Sequence, residues 1–240
     1  MILYVNGDSH AAAAECVNPH AWAEDDGMYY GLGRRPHPDN ERASFGCELA
    51  NWLNAILYLD AQAGGSNARI MRTTREWLQH QDNVRDIFVV LQWSTWERQE
   101  WLHDSVWWQV NASGTDHVPH EFEDRYKQFV VDVDWNAVKQ QAHQEIWEFH
   151  NELKLNNVRH LMFNGNNCFA GLEVKDWGNC YIDPYDHTKT YTNVLKNAGF
   201  NTVNPNSWHF GHDAHCFWAE YVLQYIKDNK LLDPNEIPTY

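Results

Sequence analysis

In YVNGDSHAAA, residues 4–13, a serine follows directly on a short apolar run and a glycine. A hydroxyl held on such a turn can attack a carbonyl if a base takes its proton. The same serine also suits the N-cap of a helix begun by the alanines, and this stretch alone leaves both roles open. A base is available near the other end, in NPNSWHFGHDAHCFWAEYVLQYI. There His209 sits in a loop just before a helical stretch, which would fix where its ring points. His209, His212 and His215 recur every three residues, a spacing that can hold a metal. No carboxylate pattern or CxxC pair accompanies them, so no metal ligand set is read there.

The elements that must position these groups follow from the apolar pattern. Ile2–Val5, ended by Asn6-Gly7, reads as a buried strand. The segment AEDDGMYYGLGRRPHPDNER reads as a long surface loop from its Gly and Pro content. Phe45, Leu49, Trp52, Leu53 and Ile56 fall at helical spacing, Ile56–Leu59 begins a second strand, and Gly64-Gly65-Ser66-Asn67 turns into a helix capped by Ser66 or Asn67. IFVVLQW is the clearest buried strand. Residues 94–134, with Trp96, Trp101, Trp107, Trp108 and an NASGTD turn, read as an irregular aromatic-rich insertion or lid. Trp135, Val138, Ala142, Ile146, Phe149 and Leu153 outline a long amphipathic helix. VRHLMF, at 158–163, is a further strand, two more helices cover 190–198 and 213–227, and a polar tail runs from about 229. Alternating strands and helices imply one α/β domain over 1–240, its parallel sheet covered on both faces, with chemistry at the carboxyl ends of the strands. Asn6–Ser9, Gly64–Asn67 and Trp93–Arg98 all lie there.

Composition narrows the partners. A formal net charge of −15, from 33 acids against 18 bases, argues against a nucleic-acid backbone or an anionic membrane surface. No apolar run approaches the roughly 18–20 residues of a membrane span, and MILYVNGDSH lacks the features of a secretory signal. Cys16, Cys47, Cys168, Cys180 and Cys216 are odd in number and scattered, as expected of reduced thiols in a cytoplasmic-type protein rather than a zinc site or disulfide frame. Thirteen tryptophans are read as core and lid packing, with an aromatic platform for a sugar as the sharper alternative. The sequence assigns no oligomeric state.

On these residues the chain resembles the SGNH (GDSL-type) hydrolases, serine esterases and acylhydrolases with a flavodoxin-like three-layer α/β/α sandwich. Gly7-Asp8-Ser9 matches the first block, whose serine is the nucleophile. The last block, D-x-x-H-P-x-x-x-G-H-x-x-x-A, puts Asn206 at the acid, His209 at the base, Phe210 at the proline and Ala214 at the glycine, followed by His215 and Ala219. Gly64 matches the second block, whose glycine amide serves the oxyanion hole beside the amide of Ser9. The third block, G-x-N-D, falls on Trp93-Ser94-Thr95-Trp96 and lacks both glycine and asparagine. Thr95, Ser94 or Asn67 would then supply the third donor. Trp93, Trp96 and His10 are candidate substrate contacts, and Glu97–Arg98 a structural ion pair. NGDSHAAAAE with QWSTWERQEW is similar, more narrowly, to SGNH-like proteins encoded by phages.

The resemblance implies hydrolysis of an ester, such as an acyl group on a carbohydrate or another small polar substrate, with no metal or organic cofactor. An amide at 206 brings no charge to the imidazolium; in the serine-protease example such a replacement costs about 10⁴ in kcat. Loss of an oxyanion donor costs about 10²–10³. These departures leave a rival expectation, a catalytically weakened fold kept as a binding or structural module.

Overall fold

The computed structural model describes residues 1–20, 36–112 and 119–238. In chain order the elements are β1 (Ile2–Asn6), α1 (Pro38–Arg42), α2 (Phe45–Leu53), β2 (Ile56–Leu59), α3 (Asn67–Gln79), β3 (Ile87–Trp93), β4 (Gln99–His103) and β5 (Val106–Val110). They continue with α4 (Glu123–Asp132), α5 (Trp135–Leu155), β6 (Arg159–Asn164), α6 (Tyr191–Asn197) and α7 (His212–Asp228).

β1, β2, β3 and β6 form one parallel sheet in the order β2-β1-β3-β6. Beyond β6, Tyr181 extends it by a parallel bridge to Met162, with Met162 N–H donating to Cys180 O at 2.8 Å and Ile182 N–H to Met162 O at 2.9 Å. The line of segments is thus the flavodoxin-like 2-1-3-4-5 order. Side chains alternate across it. Leu3, Val5, Phe88, Val90, Leu161 and Phe163 pack with residues of α2, α6 and α7, whereas Tyr4, Val89, Leu91, Trp93 and Met162 pack with residues of α3 and α5. Burial on both faces is why β3 is apolar almost throughout. The fold is α/β with a central parallel sheet between two helical layers.

Three expectations are corrected. Residues 9–15 form turns rather than a helix, because Ala13 (φ 50°) and Glu15 (φ 61°) are left-handed, which L-residues enter only at a cost. Segment 94–134 is more regular than its composition suggests. β4 and β5 make an antiparallel hairpin through Asp104-Ser105, both at positive φ as a type I′ turn requires, and α4 follows. Trp101 packs there on Phe122 and Phe129. In the Gly/Pro-rich segment, residues 38–42 are helical, with Pro38 at the first turn. The rest of that loop through residue 35, and most of the NASGTD turn, lie outside the described residues. The polar tail is docked, with Leu232 buried and Arg159 bonded to Glu236 at 2.6 Å.

Candidate active site

The turn after β1 is held by a buried side chain from β3, its neighbour in the sheet. Gln92 Oε1 accepts the N–H of Asp8 at 3.0 Å and of Ala11 at 3.3 Å, while its Nε2 donates to Trp93 O at 2.7 Å. The turn closes so tightly that a Cβ on Gly7 would lie 2.6 Å from Ala11 Cβ and 2.7 Å from Gln92 Oε1. Asp8, fully buried, accepts from His10 N–H through Oδ1 (3.0 Å), and from Ser94 Oγ and Arg98 Nη1 through Oδ2 (both 2.9 Å). Burial alone would raise the Asp8 pKa; Arg98, His10 and Ser94 reverse this and hold the carboxyl below its usual range. Arg98 therefore pairs with Asp8, and Glu97 instead takes the Thr95 hydroxyl at 3.0 Å.

This scaffold presents Ser9 with its hydroxyl unpartnered among the described residues and its side chain at the edge of the turn, 8% exposed. His10 points inward: its ring lies 5.1 Å from Tyr191, and Asn166 Nδ2 donates to Nε2 at 3.1 Å. Burial pushes its pKa down to about 4, so it is neutral near pH 7. Its Nδ1 is buried and has no hydrogen-bond partner.

The His209 ring stands edge-on to His10, with centroids 5.8 Å apart, and so borders the turn that carries Ser9. Its Nδ1 lies 2.7 Å from Glu15 Oε2. The same oxygen accepts from Ser207 Oγ at 2.6 Å, and Ser207 Oγ accepts the backbone N–H of His209 at 3.0 Å. With Nδ1–H given to a carboxylate, Nε2 keeps its lone pair, the arrangement a general base requires. Burial works to raise the Glu15 pKa, but the bonds from Ser207 and His209 prevail and lower it. Asn206, expected in the orienting role, is exposed and bonds through its backbone N–H to Asn204 Oδ1 at 2.9 Å. The left-handed residues at 13 and 15 return the chain so that Glu15 faces His209 instead. Among the described residues no direct hydrogen bond joins Ser9 Oγ to His209, as is common in sites without substrate.

Gly64 reaches the turn through its loop. Gln62 N–H donates to Gly7 O at 3.1 Å, and a Cβ on Gly65 would lie 3.4 Å from that oxygen. Gly64 has φ +80°, and neither its N–H nor that of Ser9 has an acceptor among the described residues. Asn67 clasps Ser94, accepting its N–H at 2.8 Å and donating to its carbonyl at 3.4 Å, which leaves the second amide hydrogen of Asn67 without a partner. The Thr95 hydroxyl is committed to Glu97. The hairpin pins this corner, since Gln109 Oε1 accepts Ser66 N–H at 2.9 Å.

Two expected substrate contacts are corrected. Trp93 is fully buried on the α5 side of β3, 6.2 Å from Phe149, because it shares the parity of Val89 and Leu91. Trp96 is 8% exposed and stacks on Phe169 at 4.6 Å and 9°. Both are core residues. Neither Glu15 nor Gln92 falls within any of the four sequence blocks. A glutamine inside an otherwise apolar buried strand was the available signal for the second; Glu15 had none.

No protein-family model matches the chain, and no curated protein matches it in sequence. Among solved structures it is similar to a lipolytic protein of the G-D-S-L family from Desulfitobacterium hafniense DCB-2, at 10% identity and a TM-score of 0.49, covering 97% of this chain and 100% of that one. It is also similar to a family two carbohydrate esterase from Clostridium thermocellum, solved with cellohexaose (16% identity, TM-score 0.45, covering 96% of this chain and 65% of that one). An acetyl xylan esterase from Butyrivibrio proteoclasticus is 13% identical, with a TM-score of 0.40 over 95% of this chain and 64% of that one. The chain thus spans just under two thirds of the length of these two carbohydrate esterases.

Proposed function

We propose that this protein is an SGNH-type serine ester hydrolase in which Ser9, His209 and Glu15 act as nucleophile, base and orienting acid. The observation that carries the reading is the 2.7 Å contact between His209 Nδ1 and Glu15, with the ring set beside the Ser9 turn. Ser9 Oγ attacks the ester carbonyl as its proton passes to His209 Nε2, and Glu15 stabilises the imidazolium. The N–H groups of Ser9 and Gly64, joined by Asn67 Nδ2, receive the negative charge that develops on the carbonyl oxygen. His209 then protonates the leaving alcohol, and water hydrolyses the acyl-enzyme by the same route. A charged acid at Glu15 answers the main objection raised by Asn206.

The substrate class proposed is an O-acylated carbohydrate or similar polar ester. Support comes from a cleft of about 600 Å³ formed by the loop that leads into His209, lined by Lys196, Asn201, Asn206, Ser207 and Trp208, the last with 66% of its surface exposed. A flat apolar face next to amides suits a sugar. The phage-like resemblance of the motifs suggests a phage setting.

A fluorophosphonate probe and short-chain nitrophenyl esters test the reading. Labelling and turnover that both vanish in Ser9→Ala support the hydrolase. Neither labelling nor turnover in the wild type between pH 6 and 9 would overturn it in favour of a binding module, the reading that the departed third block favours.

A further inference from the structure

On the α2–α7 face, outside the groups used above, three lone-pair atoms converge. His212 Nε2 lies 3.2 Å from Glu48 Oε1 and 3.4 Å from Cys216 Sγ, and all three atoms fall within 4.8 Å of one another. The helix sets this spacing: His212 and Cys216 are i and i+4 on α7, hence on one face, and α2 brings Glu48 against it. A tetrahedral zinc ion, with bonds of about 2.0–2.3 Å to nitrogen, oxygen and sulfur, separates its ligand atoms by about 3.3–3.6 Å. The two separations at His212 Nε2 are within a few tenths of an ångström of that, and the third is at most 4.8 Å.

His212 Nε2 meets two partners with at most one hydrogen. If His212 Nε2 carries its hydrogen, that one N–H is shared between carboxylate and sulfur. If it does not, the thiol can donate to it, but the carboxylate then faces a lone pair. A cation satisfies all three atoms at once. His212 is 44% exposed and Glu48 21% exposed by side chain, so an ion has an entry path and room for a water as fourth ligand.

We propose that Glu48, His212 and Cys216 form a binding site for a zinc-type divalent cation, closed by water. Binding replaces the Cys216 S–H bond with a metal–sulfur bond and releases the proton to solvent, so affinity rises with pH. The site lies three residues past His209 and would tie the start of α7 to α2. It does not depend on the ester-hydrolase reading. The site needs neither paired cysteines nor the 209/212/215 histidine set, since it uses one cysteine and one of those histidines. His150, His160 and Cys180 also gather three donors. There, however, His150 Nδ1 and His160 Nε2 already pair at 2.9 Å, and a metal on both would leave a buried His150 Nε2–H without an acceptor.

Cobalt(II) titration of the full chain under reducing conditions tests the site, read by the thiolate-to-metal charge-transfer band, with zinc stoichiometry from native mass spectrometry. One equivalent and a thiolate band are expected. Cys216→Ser should abolish the band, His212→Gln and Glu48→Gln should weaken zinc binding at least tenfold, and Cys47→Ser and Cys180→Ser should leave both unchanged. Thermal unfolding shows that each variant is folded. No thiolate band in the wild type, a band that survives Cys216→Ser, or one lost only in Cys180→Ser would each overturn the proposal.

Discussion

His209 Nδ1 and Glu15 Oε2 meet at 2.7 Å across 194 residues of chain. In the proposed mechanism the orienting role therefore falls to a residue six positions after Ser9 rather than three before His209. Glu15→Gln should therefore lower kcat by about 10²–10⁴ with little change in KM, since an amide neither holds the tautomer nor stabilises the imidazolium. Asn206→Ala should leave kcat within about twofold of the wild type. Steady-state kinetics on a nitrophenyl ester decides it, and the reverse pattern would return the role to Asn206.

Gln92 should be as important to folding as to activity. Gln92→Leu leaves the buried N–H groups of Asp8 and Ala11 without their acceptor. At about 1–3 kcal/mol for each unsatisfied group, a loss near 3 kcal/mol is expected in urea unfolding. Gln92→Glu keeps an acceptor for both amides and should recover part of the loss. A Leu variant as stable as the wild type would show that the turn holds without this side chain.

Trp96 separates core from substrate contact. Trp96→Ala removes a ring stacked on Phe169 and should cost about 3–5 kcal/mol of stability. The KM of the folded fraction should not move. A large rise in KM with unchanged unfolding would restore Trp96 to the substrate surface.

Acid should destabilise the protein well before its carboxylates are protonated. Burial holds His215 down to about 3 and His10 to about 4, from an ordinary 6.5. Below pH 6.5 the unfolded chain takes up protons that the native state refuses, so stability falls as pH drops from about 6.5 towards about 4. Each group contributes about 1.4 kcal/mol per pH unit across that window. His215→Gln removes one of these groups, and its urea midpoint should fall less between pH 6.5 and pH 4.5 than that of the wild type. Equal falls would exclude His215 as a source.

The strands were legible because burial on both faces writes a strand as an apolar run, and IFVVLQW could hardly be anything else. The helices from residue 45, from 135 and up to 227 were legible from their spacing. The second block points to the loop where Gly64 presents an amide with no acceptor among the described residues, and the first and last blocks to the two ends that carry Ser9 and His209. The regularity of segment 94–134 is not legible in composition because its hairpin depends on two non-glycine residues at positive φ, Asp104 and Ser105. Trp93 lies on the core side because it shares the strand parity of Val89 and Leu91, which its motif position does not register.

By itself, then, the sequence determined the alternation of elements, the two-faced burial of the sheet, and a serine and a histidine at opposite ends of the chain. Periodicity carries that information, because each residue's side is set by the local helical or strand repeat. Which acid faces His209, which amide buckles the Ser9 turn and which cation neutralises Asp8 were decided only by the tertiary structure. Those partners come from chain reversals, at left-handed Ala13 and Glu15 above all, and from segments 84 to 194 residues apart. A hydrogen bond depends on where two atoms finally lie, and no local repeat records that.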